Sequence, residues 1–535
     1  MGGWTLPWSA MGLVGEHSRP TFRFRSSLPS TGDFPAGRRI AVACCLVGLI
    51  VSGLLAVWSD GVHHDDDLTH FLYARWARHV PGYLVHEWGR PGFTVLYFLP
   101  AQIGWLAARW FSGLLTVLAA WFAYRVAERM VLPHAWLVAP LTLVQPMFLQ
   151  LSYTTLTETP LAFYTALALW LLVTRRCTGS AVVFSLALVT RHEAVVWVPI
   201  WVVAMWHRRA RPWGYLLLGW APLVHNLLTP HLLGKLPFEM FLSPGQDVQY
   251  GSGSLWAMPG RALLTFGPGM VALACLGTGL ICPRSGGPVV ASMAVVYFLT
   301  HAIFRYLGLY ATAGYPRLLV PLCPLVALLA AAGFWGLADW TARRWTVRPV
   351  VVAAAFVFFW FAGEHEKPWW LYPPFLLAFR IVTVGVVLLT AGMIWIRIRR
   401  PRWAWVRWVM SVGLVGLTVA QTQHVARPWR MSSEQRAVLS VVEWLKDHGY
   451  GERRVLAPNV WVHLFWPNVV DPGEYDTRRE LAKAQPGTLL IWDRRYSPAF
   501  PRNMPLKDYL NDPNYRLLVK SWPSPGVFCY AFEKR

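Results

Sequence analysis

The sequence predicts an α-helical polytopic membrane protein that ends in a small α/β domain. Of its 535 residues, 55% are hydrophobic and only 14% are charged, which is more apolar surface than a soluble protein of this length can bury. Apolar segments alternate with short arginine clusters, as membrane helices alternate with cytoplasmic loops. The tail from about residue 424 is more polar and predicts a domain outside the membrane.

The apolar segments give the order of the predicted helices. Segment 92–106 begins after Pro91, is interrupted at Pro100 and is short, so we expect a juxtamembrane or re-entrant piece packed against protein. The other segments predict about thirteen crossings. They are 41–58, 110–126, 134–150, 158–173, 180–190, 194–206, 213–229, 261–281, 288–304, 318–338, 349–362, 375–396 and 408–423.

Arginine clusters orient these predicted helices. The clusters lie at residues 175–176, 208–211, 343–348 and 397–402, and placing all of them in the cytoplasm puts the C-terminal domain outside. The net charge of +22 is explained by such loops, so nucleic-acid binding is not predicted. The long first apolar segment predicts a retained signal anchor rather than a cleaved signal peptide.

Three domains follow from this topology. Residues 1–39 form a basic cytoplasmic segment, residues 40–423 the transmembrane domain with a first outer loop at 59–91, and residues 424–535 an extracytoplasmic α/β domain. In the tail, an amphipathic helix is predicted from Ser432 to about His448, with Val438, Val441, Val442 and Leu445 on one face. Short strands are predicted at 455–456, 489–492 and 527–530.

A run of three aspartates, Asp65 to Asp67, directly follows the first apolar segment, and His63 and His64 precede it. Acidic side chains are costly to place beside a membrane helix, so a run of them there indicates a functional site. The alternative is a solvated loop after the helix.

Further charged residues fall on the same predicted outer side, namely Glu158, the Arg191-His192-Glu193 turn and Arg317. Each also has a structural interpretation. Glu158 could be a helix N-terminal acid favoured by the helix dipole. Arg191 and Glu193 could form a structural ion pair, and Arg317 could extend its charge to the membrane interface.

These motifs, in this order, resemble the C-type (GT-C) glycosyltransferase superfamily, which includes protein O-mannosyltransferases and the lipid A aminoarabinose transferase. The resemblance extends to about residue 325. The matching motifs are Asp65-Asp66, Tyr73-Ala74-Arg75, Arg90-Pro91, LSYTTLTETPLAF with Glu158, LALVTRHEAVVWVP with Arg191 and Glu193, and YPRLLVPLCPL with Arg317.

The resemblance implies an enzyme that moves a sugar, with inversion, from a polyprenyl-phosphate donor to an extracytoplasmic acceptor, which could be a protein, a lipid or a polysaccharide. One of the three aspartates, Asp65, Asp66 or Asp67, would be the general base, because burial beside other carboxylates raises its pKa. Glu158 would be a second acid. Arginines would hold the phosphate. The candidate substrate-binding residues are Arg75, His86, Glu87, Arg90, Arg191, Glu193 and Arg317.

A divalent cation, Mg²⁺ or Mn²⁺, is a further candidate cofactor. Asp65, Asp66 and Glu158 are its candidate ligands, because such hard cations prefer carboxylate oxygens. Histidines 63, 64 and 86 could join them, although histidines in outer loops are more often unliganded.

Other classes of protein remain open from the sequence. A transporter or flippase of a lipid-linked or anionic substrate would also place charged residues at the membrane. A scaffold for envelope assembly, or an enzyme of the same fold with a lipid-linked oligosaccharide donor, are further alternatives. The arginine-, tryptophan- and proline-rich composition favours a bacterial inner membrane.

Overall fold

The computed structural model describes residues 34–237, 239, 252–255, 257–309, 314–338, 384–385, 388, 392, 404–466, 477–499 and 503–535. Predicted segment 349–362, most of segment 375–396, and the arginine clusters at 343–348 and 397–402 lie outside these residues, as does most of the N-terminal segment.

Helices build the described part of the transmembrane domain. Their order is α1 (Phe34–Trp58), α2 (Asp65–Trp76), α3 (Pro91–Ile103), α4 (Trp105–Arg129), α5 (Val138–Leu143), α6 (Pro146–Leu151), α7 (Glu158–Val173), α8 (Cys177–Thr190), α9 (Val198–His207), α10 (Pro212–Leu217), α11 (Trp220–Leu233), α12 (Ala257–Phe266), α13 (Pro268–Ile281), α14 (Gly287–Leu307), α15 (Cys323–Ala338) and α16 (Ala404–Val425). Short 3₁₀ segments lie at Pro81–Leu84, Ala135–Leu137, His192–Trp197 and Pro316–Leu322.

Within the described residues, four helices are long and apolar enough to cross a membrane, at Ala36–Trp58, Trp105–Arg129, Gly287–Leu307 and Pro316–Gly336. Helices α12 and α13 would add a fifth span if counted together, although they meet at an angle of 105°. These lengths support a multi-pass membrane protein, while the figure of about thirteen crossings stays a prediction.

Several predicted segments are broken where the chain carries proline. Segment 134–150 divides into α5 and α6 at Gln145-Pro146, because proline lacks the N–H that would continue the helix. Segment 261–281 breaks at Gly267, whose φ is +89°, followed by Pro268. Segment 92–106 is the short helix α3, with Phe93 and Tyr97 buried and Leu99 and Ile103 exposed. It packs against protein on one face, as expected, but the expected interruption at Pro100 is wrong, because the helix continues through Pro100 to Ile103.

Helices α13 and α15 cross in close contact at two glycines. A methyl group on Gly277 would overlap the Leu329 carbonyl oxygen, and one on Gly333 would overlap the Leu273 carbonyl oxygen. Small residues at such crossings let two helix backbones approach closely, which increases packing between membrane helices.

We expect Gly277→Ala to lower the free energy of unfolding by about 2 kcal/mol or more, because the α15 backbone would have to shift to make room for the methyl group. The unfolding temperature of the purified protein should fall accordingly. Gly416→Ala is the matched control, since nothing lies within 4 Å of a methyl group added there in α16. The control should be neutral or slightly stabilising, because alanine favours helix. Equal unfolding temperatures for the two variants would contradict this packing.

The C-terminal domain is an α/β unit with a four-stranded sheet in the order β1-β2-β4-β3. Strands β1 and β2 are parallel, and β4 pairs antiparallel with both β2 and β3. The predicted helix and strands are confirmed, and the four predicted valine and leucine side chains are buried. Its elements are α17 (Ser433–Asp447), β1 (Val455–Leu456), α18 (Val460–Phe465), α19 (Thr477–Lys483), β2 (Leu489–Asp493), α20 (Lys507–Leu510), β3 (Tyr515–Ser524) and β4 (Val527–Lys534).

Candidate active site

The three aspartates form the first turn of α2 and are not in a loop. The backbone N–H of Asp66 donates to Nδ1 of His64, which caps the helix, and the acids favour the positive end of the helix dipole. Successive helix residues project about 100° apart. The three carboxylates therefore face three different neighbourhoods.

Asp67 points into the protein and is fully buried. Its Oδ1 accepts hydrogen bonds of 2.5 Å from the backbone N–H and from the hydroxyl of Thr155, in the turn before α7. Burial raises the pKa of Asp67, and the nearby Arg109 charge and the Thr155 hydrogen bonds oppose that rise. These contacts give Asp67 a structural position that joins α2 to the α6–α7 turn.

Asp66 forms an ion pair with an arginine. Its Oδ2 lies 2.6 Å from Nη2 of Arg317 and 3.2 Å from Nδ1 of His64. Burial alone would raise the pKa of Asp66, but the His64 hydrogen bond and the Arg317 charge hold it well below its ordinary value. The expectation that neighbouring carboxylates raise this pKa is therefore wrong for Asp66, because a guanidinium and not a carboxylate is its nearest charge.

Ion pairs continue from Arg317 into the protein. Oε1 of Glu158 lies 3.7 Å from Nε of Arg317 and 2.7 Å from Nη1 of Arg191. Arg191 then binds Oε1 of Glu193 at 2.8 Å through its Nη2. Turns at the start of α7, the end of α8 and the start of the 3₁₀ segment before α15 thus bring together four charges from three distant parts of the sequence.

This ion-pair cluster of Asp66, Arg317, Glu158, Arg191 and Glu193 leaves several polar atoms without partners. They are buried, and they include Nη1 of Arg317, Nε of Arg191, Oε2 of Glu158 and Oε2 of Glu193. A buried polar atom without a hydrogen bond costs about 1–3 kcal/mol, so a group of them indicates a place for a polar ligand or water.

Arg90 adds a third guanidinium beside the cluster. It precedes α3 with a φ of +58°, a conformation that is strained for a residue other than glycine. Its Nη1 lies 2.5 Å from Nδ1 of His192. Burial lowers the pKa of Arg90, while the Glu193 charge opposes that change. Strained backbone conformations cluster at functional sites, which fits the place of the half-buried Arg90 beside the ion pairs.

Asp65 contacts the C-terminal domain. Its Oδ1 accepts a hydrogen bond of 3.2 Å from Nε1 of Trp461, and its Oδ2 lies 3.1 Å from Nη1 of Arg495 and accepts from the hydroxyl of Tyr496. Sequence reasoning missed these three residues. They lie about 400 positions away, and no local pattern marks them.

Histidine 301 in α14 is a further residue that the sequence interpretation missed. It is fully buried, neither ring nitrogen has a partner, and its ring meets that of Tyr297 edge-on at 4.6 Å. The pKa of Glu193 is raised by burial and lowered by the Arg191 charge. His301 is close enough to lower that pKa further. A histidine inside an apolar segment was the signal that could have found it.

Three predicted residues, Arg75, His86 and Glu87, lie outside the ion pairs described above. Arg75 is half-buried in the last turn of α2. His86 is buried and packs against Tyr73 at 4.9 Å between ring centroids. Glu87 is half-buried, and its charge acts on His225.

The candidate metal ligands are paired with arginines. Asp66 and Glu158 share Arg317, and Asp65 faces Arg495. In the part of the chain that the structure describes, no group of three or more His, Cys, Asp and Glu side chains is arranged to hold a metal ion. A divalent cation would have to displace a guanidinium from these carboxylates, and its presence stays a prediction.

Two crystal structures of ArnT from Cupriavidus metallidurans are similar to this chain. The structure bound to undecaprenyl phosphate aligns with a TM-score of 0.58 and 13% sequence identity, over 92% of this chain and 97% of that one. The apo structure aligns with a TM-score of 0.60 and 14% identity, over 93% and 98%. No family model and no curated protein matches the sequence.

At this identity the likeness establishes the fold, and it does so over nearly the whole length of both chains. The resemblance read from the sequence motifs is confirmed at that level. The chain therefore has the fold of these ArnT structures.

Proposed function

We propose that this chain is a membrane glycosyltransferase that moves a sugar from a polyprenyl-phosphate donor to an acceptor outside a bacterial inner membrane. The observation that carries the proposal is the ion-pair cluster, where buried guanidinium nitrogens without partners lie beside an ionised aspartate. The fold supports the donor class, since a solved structure of similar fold is bound to undecaprenyl phosphate.

The arginines would bind the donor phosphate. Arg317 has a free Nη1 and Arg191 a free Nε, and Arg90 lies close enough to affect the same charges. Charge-assisted bonds from guanidinium groups suit phosphate oxygens, and in a buried site they are stronger than in water. As the leaving phosphate gains a further negative charge, these bonds strengthen, which lowers the barrier.

Asp66 would accept the proton from the acceptor. About a quarter of its side chain is exposed, whereas Asp67 is buried on Thr155 and Asp65 is bound by the C-terminal domain. When the donor phosphate binds Arg317, the Arg317–Asp66 ion pair weakens and the carboxylate of Asp66 becomes a stronger base. Donor binding would thus activate the base.

The reaction is a single displacement that inverts the sugar. The acceptor oxygen or nitrogen bonds to C1 of the sugar and passes its proton to Asp66. The bond from C1 to the phosphate oxygen breaks, and its electron pair leaves with the polyprenyl phosphate. Glu158 would hold Arg191 and Arg317 in place from between them. If a divalent cation is present, it would neutralise phosphate charge at the same carboxylates.

His301 and the free oxygen of Glu193 would contact the sugar. We expect His301→Phe to raise the donor KM about tenfold with a smaller change in kcat, because one buried hydrogen bond to the sugar is lost. Steady-state kinetics with the purified protein in nanodiscs measure both constants. His207→Phe, at an exposed position in α9, is the control. An unchanged KM in His301→Phe would remove this residue from the site.

A transfer assay tests the proposed function. Wild-type protein in proteoliposomes is offered a panel of radiolabelled polyprenyl-phosphate sugars together with protein, lipid and polysaccharide acceptors. Label that moves from lipid to an acceptor supports the proposal and identifies the sugar. Labelled lipid that crosses the bilayer without sugar transfer would favour a flippase instead.

A further inference from the structure

The C-terminal domain reaches the active site at one carboxylate. Both oxygens of Asp65 are engaged, Oδ1 by Trp461 and Oδ2 by Arg495 and Tyr496, and all three of these residues belong to that domain. The side chain of Asp65 is only 14% exposed. The C-terminal domain therefore occupies both oxygens of this carboxylate.

The two segments of the domain that bind Asp65 are held rigidly. Trp461 lies in the first turn of α18, where the Asn459 side chain caps its backbone N–H at 3.0 Å. Arg495 and Tyr496 follow β2, and their backbone N–H groups donate to Oδ1 of the buried Asp493 at 2.9 and 2.8 Å. The backbone at each of these three residues is therefore held by a side chain of the domain itself.

An apolar contact accompanies this polar one. Phe71 and Leu72 of α2 share a hydrophobic core with Val441 and Val462 of the C-terminal domain. At the other end of α2, the ring of Trp76 meets that of His463 edge-on at 5.5 Å. The domain thus packs along the length of α2, the helix that carries all three aspartates.

Arg495 also forms an ion pair inside the C-terminal domain. Nη1 of Arg495 binds Oε2 of Glu434 at 3.1 Å as well as Asp65. Glu434 lies in the first turn of α17, which packs on the sheet. Asp65 is therefore joined through Arg495 to the main helix of the domain.

We infer that Asp65 is a positioning residue that anchors the C-terminal domain on α2 and so fixes the place of Asp66, its neighbour in the same helical turn. The inference rests on the proposed function for its effect on transfer, but not for the anchoring itself. Tyr496, Arg495 and Trp461 become part of the active-site architecture. The three aspartates then have separate roles, since Asp67 holds the helix to Thr155 and Asp66 faces the reacting groups.

The test compares Asp65→Asn, Asp65→Ala, Tyr496→Phe, the Asp65→Ala/Tyr496→Phe double variant and Asp66→Asn. Hydrogen exchange of α18 and of the turn after β2, in nanodiscs without donor, measures the anchoring. Transfer kinetics on the same samples measure its effect on activity. Asp66→Asn is the matched control for Asp65→Asn, because it makes the same carboxylate-to-amide change at the adjacent residue.

We expect exchange about tenfold faster in Asp65→Ala, and a smaller increase in Tyr496→Phe, which removes one of the three contacts of Asp65. The double variant should exchange no faster than Asp65→Ala, because the contact that Tyr496→Phe removes is already lost there. Asp65→Ala should reduce transfer about 10- to 100-fold, since Asp66 is misplaced. Asp65→Asn keeps an oxygen acceptor and should lose less than about tenfold. Asp66→Asn should lose transfer with the exchange of the domain unchanged.

Two results would overturn the inference. One is unchanged exchange in Asp65→Ala, which would mean that the carboxylate does not anchor the domain. The other is a loss of transfer in Asp65→Asn as large as that in Asp66→Asn with unchanged exchange, which would make Asp65 the proton acceptor. If wild-type protein transfers no sugar, the proposed function fails, while the exchange data still decide the anchoring.

Discussion

Replacing Arg317 with glutamine should reduce sugar transfer by about 10³-fold or more. Arg317 binds Asp66 and Glu158, and its buried Nη1 has no hydrogen-bond partner. Its loss would remove the proposed phosphate contact and leave the half-buried Asp66 and the buried Glu158 without the cation that they share. Removing one partner of a buried ion pair costs about 3–5 kcal/mol, so unfolding temperature is measured alongside activity.

A pH profile separates the electrostatic role of Arg317 from simple loss of folding. The Arg317 charge helps to hold the pKa of Asp66 below its ordinary value, against burial, which raises it. Without that charge the pKa rises, so the acid limb of kcat/KM should move to higher pH in Arg317→Gln. Arg317→Lys keeps the charge, so its acid limb should stay near the wild-type position. Its activity should be lower, because lysine lacks the planar guanidinium that binds two oxygens at once. An acid limb at the same pH in the glutamine variant would contradict the coupling.

Replacing Asp66 with asparagine should lower kcat by about 10²- to 10⁴-fold while the donor still binds. Asparagine has nearly the same shape but cannot take the acceptor proton. Its side chain also no longer pairs with Arg317, which leaves that guanidinium free for phosphate. Binding of donor to Asp66→Asn should therefore be equal to or tighter than binding to wild type.

Donor binding by native mass spectrometry or by competition with undecaprenyl phosphate checks this separation of binding from catalysis. Asp508→Asn is a suitable control, since Asp508 is an exposed aspartate in the C-terminal domain. A variant that neither binds nor transfers would indicate a structural role for Asp66. A variant that transfers at the wild-type rate would exclude it as the base.

The sequence predicted which turns carry the charged cluster, but not how the charges pair. Glu158 and Arg191 were expected at the ends of two helices, and helix α7 occupies the predicted residues 158–173. Residue types and the family-like order of motifs sufficed for that. The Arg317 bridge between Asp66 and Glu158 depends on how helices far apart in sequence cross, which hydropathy does not encode.

Other features could not be predicted from local sequence patterns. Asp65, Asp66 and Asp67 are identical residue types, and only the helical rotation of α2 sends each to a different partner. Strand β3 was missed because all of its residues are exposed or half-buried, without the regular alternation of a strand that covers a core. The contacts of Asp65 with Trp461 and Tyr496 join the two ends of the chain, so tertiary structure alone reveals them.

The most direct test of the account follows both products of one reaction. Purified wild type, Asp65→Asn and Asp66→Asn, each loaded with donor labelled in the sugar and in the lipid, are mixed with acceptor for a single turnover. The account predicts that wild type forms glycosylated acceptor and free polyprenyl phosphate in equal amounts, that Asp65→Asn does so more slowly, and that Asp66→Asn holds the donor without releasing either product. Equal product formation by Asp66→Asn and wild type would contradict it.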